Sequence, residues 1–266
     1  MKKTVLITGA SGGIGCELAK IFAAEGCDLI LTARRADRLD ELKASLTERH
    51  GISVLTFVQD LSEPDTPDVI SRAVTGAGCR VDILVNNAGL GDYGPFAESD
   101  LEKQSAVVQV NVAALMRLTR LFLPQMLGRK SGKIINIASI ASFMPGPFMS
   151  VYYASKAFVL SFSEALAREL QGSGVSVTAV CPGPSKTGFA AAAGLNESKI
   201  IGAFNSVGAD SVARFAYKAA MKNKTVAVHG FLNRLAVFFG VRFLPRRALR
   251  FFVAKIQGLR KKSDSN

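Results

Sequence analysis

Short runs of Val, Ile and Leu recur along this 266-residue chain, and longer stretches with helical periodicity lie between them. The apolar runs fall at 4–8, 28–33, 53–58, 82–86, 133–138, 176–181 and 225–229. Most show little polar alternation, the pattern of strands covered on both faces. Helical patterns occupy 13–25, 37–49, 66–77, 99–127, 151–172 and 209–222. This alternation predicts an α/β fold: a single-domain, Rossmann-like, doubly wound parallel sheet of about seven strands, with helices on both faces. The body is expected to span residues 1–230. A C-terminal amphipathic helical extension follows at 231–266. Residues 183–205 form the one long region with poor periodicity. There Phe189 leads into Ala190 to Ala193, and Gly194 ends the run. Two readings stay open for this loop, taken as 184–208: a mobile lid over a substrate, or a surface loop with one helical turn.

Charge changes the picture at one end only. The chain carries +12 at neutral pH. Residues 1–230 hold 24 basic and 20 acidic residues, whereas 231–262 hold nine Lys/Arg and no Asp or Glu. A nearly balanced body with a basic tail argues against nucleic-acid binding. No uninterrupted apolar run reaches about 18 residues, so no spanning helix is indicated. Cys16, Cys27, Cys79 and Cys181 lack disulfide or metal spacing and read as reduced thiols in a cytoplasmic protein. His50 and His229 have no neighbours suggesting a metal site.

Candidate chemistry begins at the first strand end, Thr8-Gly9-Ala10-Ser11-Gly12-Gly13-Ile14-Gly15, where a helix follows. Glycines permit a tight turn and close backbone approach to a pyrophosphate, and a helix N-terminus offers free N–H groups. The second strand ends in Leu31-Thr32-Ala33-Arg34-Arg35. Ala33 stands where an NAD site usually carries an acid for the ribose 2′-hydroxyl. Two guanidiniums follow, and Arg suits a 2′-phosphate, so the reading is NADP(H); alternatively, Arg35 caps a solvated turn. Tyr152 and Lys156 are four residues apart in a helical pattern and so share a face. A nearby cation favours a phenolate, which suits acid–base chemistry at an alcohol or ketone.

With these residues assembled, the chain resembles the short-chain dehydrogenase/reductase family over about residues 4–230. The Thr8–Gly15 loop is similar to its TGxxxGxG motif, which makes Gly9, Ser11, Gly12, Gly13, Ile14 and Gly15 cofactor contacts. The resemblance further implies that Asp60 and Leu61 meet the adenine and that Asn87, Ala88 and Gly89, in Asn86-Asn87-Ala88-Gly89, line the cofactor. Pro182, Gly183 and Thr187 would lie on the nicotinamide side. The catalytic set would be Asn111, Ser139, Tyr152 and Lys156. Tyr152 would give a proton to the nascent alkoxide while Ser139 holds the same oxygen. Lys156 would lower the Tyr152 pKa and bind the nicotinamide ribose, and Asn111 would hold a relay water. Tyr153 falls outside the family spacing and reads as a packing or substrate-side residue. The sequence departs from the family at Ala138, where a second serine is common, and at Ser185, where an apolar residue is frequent.

The resemblance implies an NADP(H)-dependent carbonyl reductase or alcohol dehydrogenase, pairing as a homodimer or homotetramer through the helices near 99–127 and 151–172. Apolar late segments point to a hydrophobic substrate such as a lipid-like ketone, 3-oxoacyl thioester or steroid. The other reading is a non-catalytic NADPH-binding regulator, which needs the glycines but not the acid–base set. The tail is long for the family. Leu249, Phe252, Val253, Ile256 and Leu259 form an apolar stripe beside Arg250, Lys255, Arg260 and Lys261. Gly240 and Pro245 are expected to break it into two pieces. Three fates are open to it: packing on the body or a partner subunit, lining the substrate pocket, or peripheral membrane contact through 231–262.

Overall fold

The structure, a computed structural model, describes residues 2–195 and 207–258. Seven strands form one parallel sheet: β1 (Thr4–Thr8), β2 (Asp28–Ala33), β3 (Val54–Val58), β4 (Ile83–Asn86), β5 (Gly132–Ile137), β6 (Val175–Cys181) and β9 (Val226–Val228). Their spatial order is β3-β2-β1-β4-β5-β6-β9. The chain reverses its winding between β1 and β4, which opens a crevice at the carboxyl ends of these strands. A two-residue pair, β7 (Ser185–Lys186) with β8 (Val207–Gly208), stands apart.

Successive strand residues feed opposite layers. Val5 and Ile7 of β1 join the core beneath α1 (Gly13–Ala24), α2 (Ala36–His50) and Ala209–Met221. Leu6, between them, joins the core beneath α3 (Thr66–Gly76), α5 (Leu115–Gly128) and α6 (Ser150–Glu169), while α4 (Leu101–Val108) precedes α5. Phe22 anchors the first layer and Phe122 the second, both 1% exposed. Each contributes about 3 kcal/mol by leaving water.

The helix expected over 99–127 is a composite. Asp100 caps α4, its Oδ1 accepting from the Glu102 N–H at 2.9 Å. A π-helical segment, Gln109–Ala114, then separates α4 from α5. The whole run, Leu101–Gly128, is long and apolar enough to cross a membrane. Leu118, Phe122 and Met126 instead lie in the core with Leu84, Ile134 and Val177 of the sheet.

The irregular loop is described to Leu195, with one short helix α7 (Phe189–Ala192), and again from Val207. The rest of the expected substrate loop lies outside the described residues. After β9 come two further helices. With Ala209–Met221 as α8, these are α9 (Phe231–Phe243) and α10 (Arg246–Gln257). Gly240 does not break α9, contrary to expectation, because one glycine costs a helix only about 1 kcal/mol. Pro245, at the N-cap of α10, does separate the pieces. Of the expected stripe, Leu249 and Val253 are buried while Phe252 and Ile256 are exposed. Leu259, Arg260 and Lys261 lie outside the described residues.

Candidate active site

The crevice holds a cavity of about 1200 Å³ that runs from Arg34 and Arg35, across the β1–α1 loop, to Tyr152 and Leu195. Its floor is backbone. Gly9 has φ +67°, and a Cβ there would stand 2.9 Å from Asn87 Nδ2 and from Ala88 Cα. A Cβ on Gly15 would run into Asn87 Nδ2 and lie 2.5 Å from the Gly9 carbonyl oxygen. Asn87 ties the loop down, its amide donating to Thr8 O at 2.8 Å and Gly9 O at 3.2 Å. Thr8 Oγ1 accepts from the N–H groups of Asn87 and Ala88, both at 3.0 Å. Gly12 begins α1 without a side-chain cap, so the first-turn N–H groups are left to a ligand. Thr187 closes over Gly13: a Cβ there would be 3.1 Å from Thr187 Cγ2. A floor without side chains, facing an uncapped helix start, fits the pyrophosphate of a dinucleotide.

At the outer end Arg35 folds over the loop, Nη2 donating to Ser11 O at 2.8 Å and to Ser11 Oγ at 3.2 Å. Arg34 turns to Asp60, with Nη1 and Oδ2 3.7 Å apart. Burial opposes ionisation of Asp60, yet hydrogen bonds from Ser62 and the Arg34 charge hold its carboxyl below the usual value. Arg38 joins this group along the cavity wall.

At the inner end, β5 delivers Ser139. Its Oγ accepts from the Ala141 N–H at 3.1 Å, and Ser142 Oγ accepts from the Ser139 N–H at 3.4 Å. This reciprocal cap fixes the turn Ile140–Phe143. Ser142 also donates to the Lys156 carbonyl at 2.7 Å, which ties the strand end to α6. Tyr152 and Ser139 line the same end of the cavity, with the Ser139 side chain near enough to favour the Tyr152 phenolate. Lys156 Nζ lies 5.8 Å from the centre of the Tyr152 ring and donates to Ile137 O at 2.8 Å. Asn111 sits in the π-helical segment and is buried. Its Nδ2 donates to Leu90 O and to Ser155 Oγ, each at 2.9 Å, and its Oδ1 accepts from the Leu90 N–H at 2.9 Å. A Cβ on Gly89 would stand 3.4 Å from both Asn111 Oδ1 and Lys156 Nζ, so the two groups face one glycine.

The expected lowering of the Tyr152 pKa by Lys156 does not emerge in the protein alone. Burial pushes the phenol up to about 12, with the Ser139 side chain opposing it. Burial also brings the Lys156 ammonium down to about 8. The ammonium thus loses its proton before the phenol does. At neutral pH the pair is a protonated phenol beside a cation, the state that can donate a proton to a carbonyl oxygen.

The chain matches the short chain dehydrogenase family over residues 3–198. It belongs to that family. Its similarity to the very-long-chain 3-oxoacyl-CoA reductase of Phaeosphaeria nodorum is 39% identity over 179 residues, 66% of this chain and 52% of that protein. The matched part is thus about half the length of that relative. The ketoacyl reductase HetN of Nostoc sp. is 36% identical over 227 residues, 85% of this chain and 77% of HetN. A solved short-chain dehydrogenase from Sphingobium yanoikuyae in complex with NADPH superimposes with a TM-score of 0.81 at 34% identity, covering 90% of this chain and 93% of that one. The protein is therefore a member of the short-chain dehydrogenase/reductase family, with a seven-stranded parallel sheet.

In this short-chain dehydrogenase all the expected site residues line or adjoin one cleft. Pro182 O accepts from the Ile140 N–H at 2.9 Å and so bridges the Ser139 turn to the segment holding Gly183 and Thr187. Leu61 borders the cavity beside Asp60. Asn86 belongs to a motif quoted from the sequence, but its partners Asn136 and Ser163, and Gln257, were not singled out there. Asn86 Nδ2 donates to Asn136 Oδ1 at 2.9 Å, and Asn136 Nδ2 to Ser163 Oγ at 2.9 Å, a buried chain linking β4, β5 and α6. The lone Asn in the apolar run 133–138 was the available signal, since buried polar groups need partners. Gln257, fully buried on α10, donates from its side chain to the Tyr153 hydroxyl and accepts from the Tyr93 hydroxyl at its carbonyl. Nothing in the sequence pairs residues 104 and 164 positions apart.

Proposed function

We propose that this enzyme is an NADP(H)-dependent reductase that interconverts a hydrophobic ketone or aldehyde and its alcohol. The observation that carries the reading is Tyr152, beside Ser139 and flanked by the buried Lys156, at the far end of the cavity that begins at Arg34 and Arg35. A bound nicotinamide dinucleotide supplies the hydride. Arg34 and Arg35 would hold the 2′-phosphate, supported by the methyl group of Ala33 where an acid would repel it. Gly9, Ser11, Gly12, Gly13, Ile14 and Gly15 would take the pyrophosphate. Asp60, Leu61, Asn87, Ala88 and Gly89 would border the adenosine and ribose, and Pro182, Gly183 and Thr187 the nicotinamide.

Ser139 Oγ and the Tyr152 hydroxyl, which line the same part of the cavity, would both donate to the carbonyl oxygen as negative charge grows on it. Tyr152 gives its proton to that oxygen. The Lys156 charge stabilises the phenolate left behind. Asn111 holds the β4 loop to α6 and so keeps Lys156 in register with Gly89. Alcohol oxidation is the same path reversed.

Beyond Tyr152 the wall turns apolar. Met149, Ala193 and Leu195 are buried together, with Tyr93, Tyr153 and Phe189 packed on them. The Phe189 ring centre is 5.2 Å from that of Tyr152. Such a wall fits a lipid-like ketone, a 3-oxoacyl thioester or a steroid, and the names of the 3-oxoacyl-CoA reductase and ketoacyl reductase relatives support including the thioester. Exposed Val108, Met116, Leu127 and Phe158 on the long helices fit pairing of copies. Four free thiols accord with a reducing compartment.

The test is NADPH and NADH oxidation against 3-oxoacyl thioesters, bulky ketones and ketosteroids. NADPH-dependent turnover of an apolar member supports the reading. Faster use of NADH overturns the cofactor assignment. Tight NADPH binding without turnover on any carbonyl favours the regulator.

A further inference from the structure

Helix α9 is apolar yet scarcely packed. Of its described side chains none is buried, and Phe231, Leu232 and Phe243 are 71%, 78% and 69% exposed. The rings of Phe238, Phe239 and Phe243 lie against one another, with centroids 5.1 Å apart for the first two and 5.9 Å for the last two. Helix α10 continues this surface with Phe251, Phe252 and Ile256, while its other face buries Leu249, Val253 and Gln257. The patch is held in place. Asn233 Nδ2 donates to His229 O at 2.8 Å and stands against Gly183, and Gln257 is bonded to Tyr153 at the cavity wall. An exposed apolar surface of this extent marks a contact with something else.

Charge selects the occupant. Arg234, Arg246, Arg247, Arg250 and Lys255 are exposed on the same two helices, and none forms an ion pair among the described residues. Residues 231–262 carry no acid at all. A two-fold contact between copies would set this basic surface against itself. The body, with 24 basic against 20 acidic residues over 1–230, has no acidic surplus to receive it. An anionic bilayer meets both demands, since rings enter the acyl boundary while Arg and Lys meet lipid phosphates.

We propose that α9 and α10 seat the protein on an anionic lipid bilayer. The docked face is joined through Gln257 to the apolar end of the cavity. Docking does not depend on the proposed reaction, and it would bring an apolar substrate to the pocket from the lipid.

The test is co-sedimentation of the full chain with vesicles of equal parts phosphatidylglycerol and phosphatidylcholine, and with phosphatidylcholine alone. Two variants accompany it: Phe239→Ser/Phe243→Ser/Phe252→Ser and Arg246→Gln/Arg247→Gln/Arg250→Gln. NADPH affinity serves as the folding control. The protein should pellet with the mixed vesicles, much less with phosphatidylcholine, and each variant should bind at least about tenfold more weakly with NADPH affinity unchanged. Failure of the parent protein to pellet overturns the proposal, as does undiminished binding by the arginine variant. If the parent ignores vesicles but the phenylalanine variant elutes as a smaller species, the patch is a subunit interface and the proposal is wrong.

Discussion

Replacing Lys156 with Met should stabilise the protein while abolishing its chemistry. The ammonium is 5% exposed, and burial takes its pKa from 10.5 to about 8. At about 1.36 kcal/mol per pH unit, holding that charge in the fold costs about 3 kcal/mol at neutral pH. Methionine fills a similar space without a charge. The lost bond to Ile137 O offsets about 1 kcal/mol of the gain. The net of about 2 kcal/mol corresponds to a rise in Tm of about 5 °C for a domain of this size. A lysine whose folded pKa is depressed destabilises fully below that folded value. The penalty shrinks as pH rises from about 8 to the unfolded value near 10.5, and vanishes above. Thermal melts followed by circular dichroism at pH 7 and pH 10 check this. The variant should melt higher at pH 7, the gap should narrow by pH 10, and carbonyl reduction should be lost at both. A variant that melts lower at pH 7, or a gap that ignores pH, would refute the view that Lys156 is kept at the expense of stability.

Arg34→Ala/Arg35→Ala should raise KM for NADPH about 10- to 100-fold through lost charge-assisted bonds, with a much smaller change for NADH in steady-state kinetics. The kcat/KM for carbonyl reduction should fall as pH rises through about 8, where Lys156 loses its proton, while Tyr152, raised to about 12, remains protonated. A pH–rate profile in the reducing direction checks both. Gln257→Leu leaves the Tyr153 hydroxyl without its partner in the apolar wall; it should raise KM for a bulky ketone several-fold more than it lowers kcat.

The sheet was legible because strands buried on both faces write themselves as unbroken Val, Ile and Leu runs. The π-helical segment was not, since Gln109–Ala114 keeps helical periodicity while its hydrogen bonds shift by one residue. Gly240 shows the same limit from the other side, a helix breaker by composition whose cost of about 1 kcal/mol the helix Phe231–Phe243 tolerates. In the site, local spacing carried Tyr152 and Lys156, and glycine geometry carried the phosphate loop. Burial raises the Tyr152 phenol in the protein alone, and sequence spacing shows charge proximity but not burial. The Asn86–Asn136–Ser163 chain and the clamp of Gln257 on Tyr153 join residues far apart in sequence, and only tertiary packing reveals them. The tail divides along its own helix: Leu249, Val253 and Gln257 pack inward as one open reading had it, and Phe251, Phe252 and Ile256 remain outside.

The central claim is that Tyr152, with Ser139 and Lys156, is the proton donor of an NADPH-dependent reductase. The most direct test compares kcat of the parent with that of Tyr152→Phe on the best carbonyl substrate, alongside the NADPH Kd of each. The account predicts a fall in kcat of about a hundredfold or more with Kd nearly unchanged, because the lost hydroxyl acts on the substrate oxygen. Turnover that survives in the phenylalanine variant would contradict it.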